Sequence, residues 1–387
     1  MSALGPVDPG VMRRLNTATT LRELHNRRTV TLTQLTDSTG LSRRTVELIL
    51  DELVAEGQAF EAGAASGLRT VGRPARTFSF NAQHSYAMAV QIDEDSIDVL
   101  VCDIYGTALG SWTQSVTAST SRDERLRRVR DAVESVFRTL DVPTAKVKAV
   151  TVSTMGVVRD DGIVELKGAA GSSGPNVADW SGFSVADELA DLFSCSVVVE
   201  NDAKLAAIGE GWRGGARQAA NHVYVLAEGR RVGVGVVING KLYRGFEGQA
   251  GEIFWAQPVF GLGEVMTANP LLGLSSHQTD RGRAALGIVE NAREGDEGAL
   301  AVVADLAAGL APGLHAIACL LSPEVLVVGG SLADIGSPLT EALEREFASR
   351  TSPDTRIALS ELGSKAVLLG AMRESLDRIE AEMFTAG

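Results

Sequence analysis

Residues 31–57 read TLTQLTDSTGLSRRTVELILDELVAEG, and the stretch spells two helices with a sharp turn between them. Thr31 to Ser38 carries Leu32 and Leu35 on one face, and Gly40 follows where a left-handed C-cap belongs. Ser42 supplies an N-cap, after which Val46, Ile49, Leu50, Leu53 and Val54 recur at i, i+3, i+4, i+7 and i+8. The turn Thr39-Gly40-Leu41 is tight enough to make the pair a helix-turn-helix.

The flanking sequence extends that reading. Upstream, Thr20 to Arg28 predicts a short helix with Leu21 and Leu24 inward. Downstream of Gly57, Gln58–Ala62 and Arg76–Phe80 predict two short strands around a Gly/Ala-rich tip, closed by Gly72-Arg73-Pro74-Ala75-Arg76, which makes a wing. The side of the second helix away from the apolar stripe bears Arg43, Arg44, Thr45, Glu47 and Glu52. The N-terminal residues of such a helix enter a major groove, so Ser42, Arg43, Arg44, Thr45 and Glu47 are the candidate DNA contacts. Arginines there suit guanine edges or phosphates; Glu47 suits a cytosine amine or the orienting of an arginine. Arg73 and Arg76, on a thin Gly/Pro scaffold, suit a narrow minor groove, while a plain linker turn is the other reading of Gly-Arg-Pro.

Charge supports a basic head on an acidic body. The 387 residues carry a net −13, yet residues 1–85 hold ten Arg against eight Asp/Glu, or +2, which leaves −15 for the rest. A chain this long exceeds one ordinary core, so two or three domains are expected. We divide it at 1–81 and 82–387. No uninterrupted apolar run approaches the roughly 20 residues that span a bilayer. The N-terminus lacks the layout of a signal peptide, so no membrane partner is expected and the cytoplasm is the expected compartment. Cys102, Cys195 and Cys319 are widely separated in apolar settings and read as ordinary buried thiols.

The acidic part reads as α/β and duplicated. Ala87–Ile92, Ile97–Cys102 and Ala108–Thr113 predict strands, Ser121 to Leu140 a helix, and Ala149–Ser153 a further strand. The order returns with strands Val223–Ala227, Val232–Ile238 and Lys241–Tyr243, the last two joined by the hairpin dipeptide Asn239-Gly240. A long helix then ends near Leu321, and strand Val325–Val328 runs into Gly329-Gly330. Two such units imply two lobes with a cleft between them, where ligands meet the carboxyl ends of strands. Strand Val197–Glu200 delivers Asn201-Asp202 to a helix start. Asp202 there suits a general base, an acceptor for sugar hydroxyls or a plain N-cap. Gly251-Glu252 offers a second carboxylate.

At these residues the chain resembles the ROK family of repressors and sugar kinases. Glu200-Asn201-Asp202-Ala203 is similar to that family's Glu-Asn-Asp-Ala motif, followed at the family's spacing by Gly240–Gly245 and Ala250-Gly251-Glu252-Ile253. Gly174-Pro175-Asn176 with Trp180 resembles the segment that closes over the sugar. The resemblance implies a two-lobed actin-like, sugar-kinase-like (ribonuclease H-like) α/β domain preceded by a winged helix-turn-helix. It implies that Asn176, Asn201, Asp202 and Glu252 contact a sugar, with Asp202 the catalytic base in kinase relatives.

Three departures redirect that expectation. The Gly-Gly-Thr phosphate turn of the kinases is replaced by Asp93-Glu94-Asp95-Ser96, whose carboxylates repel a triphosphate and which lacks a glycine for close backbone approach. The second phosphate loop aligns with Gly229-Arg230-Arg231, too bulky for the same cradle although its charge suits an anionic effector. Phosphoryl transfer rests on positioning and electrostatics, so no kinase activity is expected. Finally, Trp255 stands where many members have a zinc-binding histidine, residues 256–285 contain no cysteine, and nothing between Glu264 and Asp280 is acidic. His277 alone cannot build a four-ligand site, so neither metal nor cofactor is expected. Trp255 then either stacks on a sugar ring or fills the pocket. The expectation is a homodimeric or tetrameric repressor on a pseudo-palindromic operator, relieved by a sugar effector or governed by a partner protein.

Overall fold

The computed structural model describes residues 8–62, 76–117, 119–165, 181–228, 231–253, 269–276, 279–350 and 354–385. The head is built from helices α1 (Pro9–Arg27), α2 (Leu32–Thr39) and α3 (Arg43–Ala55) with strands β1 (Thr29–Thr31), β2 (Ala59–Ala62) and β3 (Thr77–Phe80). Its sheet runs β1-β3-β2, antiparallel throughout. Thr31 and Gln34 form a reciprocal capping box on α2, and Gly40 closes that helix at φ 69°. The Ser42 hydroxyl accepts from Thr45 N and starts α3 as predicted.

Two details correct the sequence reading. Helix α1 begins at Pro9 rather than Thr20, with Asp8 as its N-cap and proline in the first turn. Its first half was invisible to periodicity because Met12 and Leu15 are 44% and 45% exposed. Val54, counted in the apolar stripe, is also 38% exposed, because the stripe's inward arc closes at Leu53. The residues 63–75 of the wing tip, Arg73 among them, lie outside the described residues.

The first lobe contains β4 (Tyr86–Ile92), β5 (Ser96–Asp103), β6 (Ala108–Ser115), α4 (Arg122–Leu140) and β7 (Val147–Thr154). A small sheet of β8 (Val157–Val158), β9 (Ile163–Glu165) and β10 (Phe183–Ser184) follows, then α5 (Val185–Leu189) and β11 (Val197–Asn201). Helix α6 (Asp202–Arg213) leads into the second lobe: β12 (His222–Glu228), β13 (Arg231–Ile238), β14 (Lys241–Leu242), α7 (Asp280–Arg293), α8 (Glu297–Leu321), β15 (Val325–Gly329), α9 (Ser337–Ala348) and β16 (Arg356–Leu359). Helix α10 (Ala366–Phe384) closes the chain's described fold.

The main sheets run β11-β7-β4-β5-β6 and β14-β13-β12-β15-β16. In each, three strands meander antiparallel and two more join parallel beside the first, so the duplication predicted from strand order is present in topology. Asn239 and Gly240 take φ 53° and 71°, the left-handed pair that a two-residue hairpin demands.

Helices α6 and α10 join the lobes. A Cβ at Gly370 would sit 1.7 Å from Leu205 O, and one at Gly209 2.2 Å from Ala366 O, so the two helices touch backbone to backbone. Helix α10 also reaches the first sheet, where the buried Ser375 hydroxyl donates to Met88 O. Helix α8 is long and apolar enough to cross a bilayer, but ten of its residues are buried and its apolar side joins the core of the second lobe. Cys319 lies on its outer face and is exposed, and Cys195 is half-buried, so only Cys102 is the buried thiol expected of all three.

Candidate ligand cleft and nucleic-acid interface

Strand β11 carries Glu200 and Asn201 to the start of α6. Asn201, not Asp202, is the N-cap: its Oδ1 accepts from Lys204 N at 3.1 Å, while its Nδ2 donates to Gly156 O at 2.9 Å. Asp202 is the first helical residue, where an N-terminal dipole favours a carboxylate. Its Oδ1 accepts from Ala203 N at 2.8 Å, and its Oδ2 faces Arg231 Nη1 at 3.3 Å. Burial still pushes the Asp202 carboxyl up, with Arg231 pulling the other way.

Arg231, at the start of β13, spans the cleft. Its other nitrogen, Nη2, lies 3.0 Å from Asp93 Oδ1 on the first lobe. Attraction to Asp93, Asp202 and Glu228 outweighs burial and raises its pKa further above the ordinary guanidinium value. The acidic turn that supplies Asp93 is held from behind by Arg125 of α4, only 5% exposed. Arg125 donates to the carbonyls of Asp93, Glu94, Thr117 and Thr120. On the far side, Glu228 accepts from Ser331 N at 2.8 Å, and burial lifts its carboxyl to about 7. Asp93, Asp202 and Glu228 thus converge on one guanidinium.

Glu252 follows Gly251, whose φ of 86° and close approach to Val234 O exclude any side chain. Burial raises the Glu252 carboxyl, opposed by Lys204, which is 1% exposed and donates to Gly248 O. Glu200 accepts from Arg244 Nε at 2.6 Å and tightens the same region. The structure therefore brings Asn201, Asp202 and Glu252 to one neighbourhood around α6. Asn176 and Trp255 fall outside the described residues, as do Gly229 and Arg230.

On the head, Arg43 pairs with Glu47 at 3.1 Å along α3. Arg44 is exposed and has no ion pair among the described residues. Arg76 is engaged by Glu61 at 2.9 Å and lies 3.7 Å from Asp51, with its guanidinium over the Phe78 ring. Thr45 shares a 2.8 Å contact with the Ser42 hydroxyl.

Sequence reasoning missed the cation set behind these sites. Neither Arg125 nor Lys204 was singled out, because nothing in the local pattern around either marks it as buried. Also unforeseen was a contact between head and body: the His25 ring stacks on Tyr105 at 4.8 Å and meets Phe80 and Phe384 at 5.1 and 5.2 Å. Arg22 donates to Phe384 O at 2.9 Å, and Arg28 lies over the Tyr105 ring.

A winged helix-turn-helix joined to a duplicated two-lobed body of actin-like, sugar-kinase-like design defines the class. The chain belongs to the ROK family, whose model matches residues 87–374. It is 21% identical to the xylose repressor of Caldicellulosiruptor bescii, over 94% of this chain and 95% of that one. It is 24% identical to the glucokinase of Thermotoga maritima over 71% of this chain and 92% of the kinase. Among solved structures, a ROK family transcriptional regulator described as a homolog of the E. coli MLC protein superposes with TM-score 0.69. That match has 18% identity and covers 97% of this chain and all of the other. A ROK family glucokinase from Streptomyces griseus, solved with glucose and AMPPNP, gives TM-score 0.60 and 26% identity, covering 76% of this chain and all of the kinase.

Proposed function

We propose that this protein is a sequence-specific transcriptional repressor of carbohydrate-metabolism genes, released from its operator by a sugar or sugar derivative. The head at 1–81 binds DNA and the body at 82–387 senses the effector and oligomerises, in the cytoplasm. The observation that carries the reading is the Arg231 bridge between Asp93 and Asp202. With Oδ1 held by Ala203 N and Oδ2 by Arg231, the Asp202 carboxylate is already occupied, which opposes its use as a base toward a sugar hydroxyl. An acidic turn in place of a phosphate cradle also opposes a nucleotide. The likeness to chains named xylose repressor over nearly the whole length supports the same reading.

The bridge also suggests how an effector acts. Sugar hydroxyls bonding Asp202, with Asn176, Asn201, Glu252 and Trp255 around the ring, compete with Arg231 and alter the hold between the lobes. Asp202 opens α6, α6 touches α10, and the end of α10 touches α1, so a continuous packed route joins cleft to head. Two states of that route, differing in affinity for both ligands, are what coupling requires. Three carboxylates around one arginine favour a neutral sugar over a phosphorylated one.

Genome-wide mapping of bound sites, followed by isothermal titration with a sugar panel and operator binding with each hit, tests the proposal. Clustered sites beside sugar-utilisation genes and a sugar that lowers operator affinity are expected. A sugar that binds without changing DNA affinity would refute effector control. The glucokinase relatives favour one second reading, an active kinase. Sugar-dependent ADP release in a coupled assay would replace the repressor-only reading with it.

A further inference from the structure

Helix α3 turns Val46, Ile49, Leu50 and Leu53 to the core, each 4% exposed or less. Its opposite side carries Arg44, Leu48, Asp51 and Ala55, spaced as one ridge of a helix. Leu48 is 52% exposed at the centre of that ridge, one turn beyond Arg44. Charged pairs frame it: Arg76 near Asp51 at the foot of the wing, and Arg13 of α1 with Glu52.

A single surface leucine is ordinary, but its position here is specific. The ridge opposite the core is the side of a helix-turn-helix that enters the major groove. Base edges in that groove are polar donors and acceptors except for one apolar group, the C5-methyl of thymine. A leucine at the middle of the ridge has no hydrogen bond to offer and gains free energy by covering apolar surface, of which such a methyl is the most prominent on the base edges. Arg44, one turn away, is the exposed cation beside it.

We propose that Leu48 is a specificity-determining residue that packs on a thymine methyl, one in each operator half-site. The inference rests on the DNA-binding reading and goes beyond it by naming the base and the atom read. It also assigns the central recognition position to an apolar side chain, where charge alone would point to Arg43 and Arg44.

The test uses the full chain and a duplex recovered from a random-sequence pool. Each thymine of that duplex is replaced in turn by uracil, which differs only in lacking the methyl. Affinities are then measured for the wild type, Leu48→Ala and Leu48→Met. One thymine per half-site is expected whose replacement weakens wild-type binding about fourfold, the worth of one buried apolar carbon. The same replacement leaves Leu48→Ala unchanged, and Leu48→Met restores the penalty. Identical uracil profiles in wild type and Leu48→Ala overturn the inference while leaving DNA binding intact. Recovery of no duplex from the pool sinks the DNA-binding reading and this inference with it.

Discussion

Arg231 Nη1 stands 3.3 Å from Asp202 Oδ2, so the carboxylate that the family motif singles out is engaged by the side chain that also reaches Asp93 of the first lobe. Removing the arginine leaves Asp93, Asp202 and Glu228 facing one another with less compensation. Arg231→Ala is expected to destabilise the body by about 1–3 kcal/mol at pH 7, discounted because the arginine is 29% exposed. The loss shrinks as the pH falls and the carboxyls neutralise. Urea unfolding at pH 5 and pH 7.5 measures both; an equal loss at the two pH values contradicts the network.

Glu228 titrates in a physiological range. Its folded-state pKa of about 7 lies above the ordinary 4.5, so the folded protein holds its proton more tightly. The stabilising contribution is complete below about pH 4.5 and disappears as pH rises through about 7. Glu228→Gln, which never ionises, is therefore expected to gain on the order of 1–3 kcal/mol over wild type at pH 8, with little difference at pH 4.5. Melting curves across that range decide it.

His25 shifts in the opposite sense. Burial lowers its pKa, against Glu380, which raises it, with Arg28 and Arg373 lowering it further. A depressed histidine leaves the docked state intact above its free value near 6.5 and weakens it as pH falls below that. Hydrogen exchange of α1 amides should speed up between pH 7.5 and 5.5 beyond the intrinsic rate change. In His25→Phe, which keeps the ring packing, that excess should vanish.

Gly370→Ala tests the helix contact that links cleft and head. A methyl there would meet Leu205 O at 1.7 Å, and backbone cannot step aside as a side-chain tip can. The expected cost is about 1–3 kcal/mol or more in urea unfolding. An unaffected midpoint would contradict the backbone-to-backbone contact of the two helices.

Arg44 has no ion pair among the described residues, whereas Arg43 is held by Glu47. Arg44→Ala is expected to weaken operator binding and to flatten its dependence on salt by about one unit of slope if it holds a phosphate. Arg43→Ala should have the smaller effect on that slope. Filter binding between 50 and 200 mM salt distinguishes the two; the reverse order would move the phosphate contact to Arg43.

Local rules made most of the fold legible. Gly40, Ser42 and Asn239-Gly240 act within a few residues, and each cap or turn formed where its chemistry requires. The start of α1 was missed because half of that helix has no core to face, so no periodicity marks it. The cleft was legible only in part. Asn201, Asp202 and Glu252 are motif residues close to glycine turns, but Arg125 lies 32 residues from the Asp93 carbonyl it holds, and Arg231 lies 138 from Asp93 itself. Ion pairs closed over such distances depend on topology that no local pattern carries. Asp202 as an N-cap illustrates the same limit in miniature: both neighbours could cap α6, and Asn201 prevails by also bonding Gly156 on the adjoining lobe segment.

The seat of the head is made partly by Phe384, at the end of α10. During synthesis, the first helix leaves the ribosome hundreds of residues before its docking partner does. The head therefore cannot be seated until Phe384 has been synthesised. Chains cut before Phe384 would lack both the carbonyl that Arg22 bonds and the ring that His25 packs against.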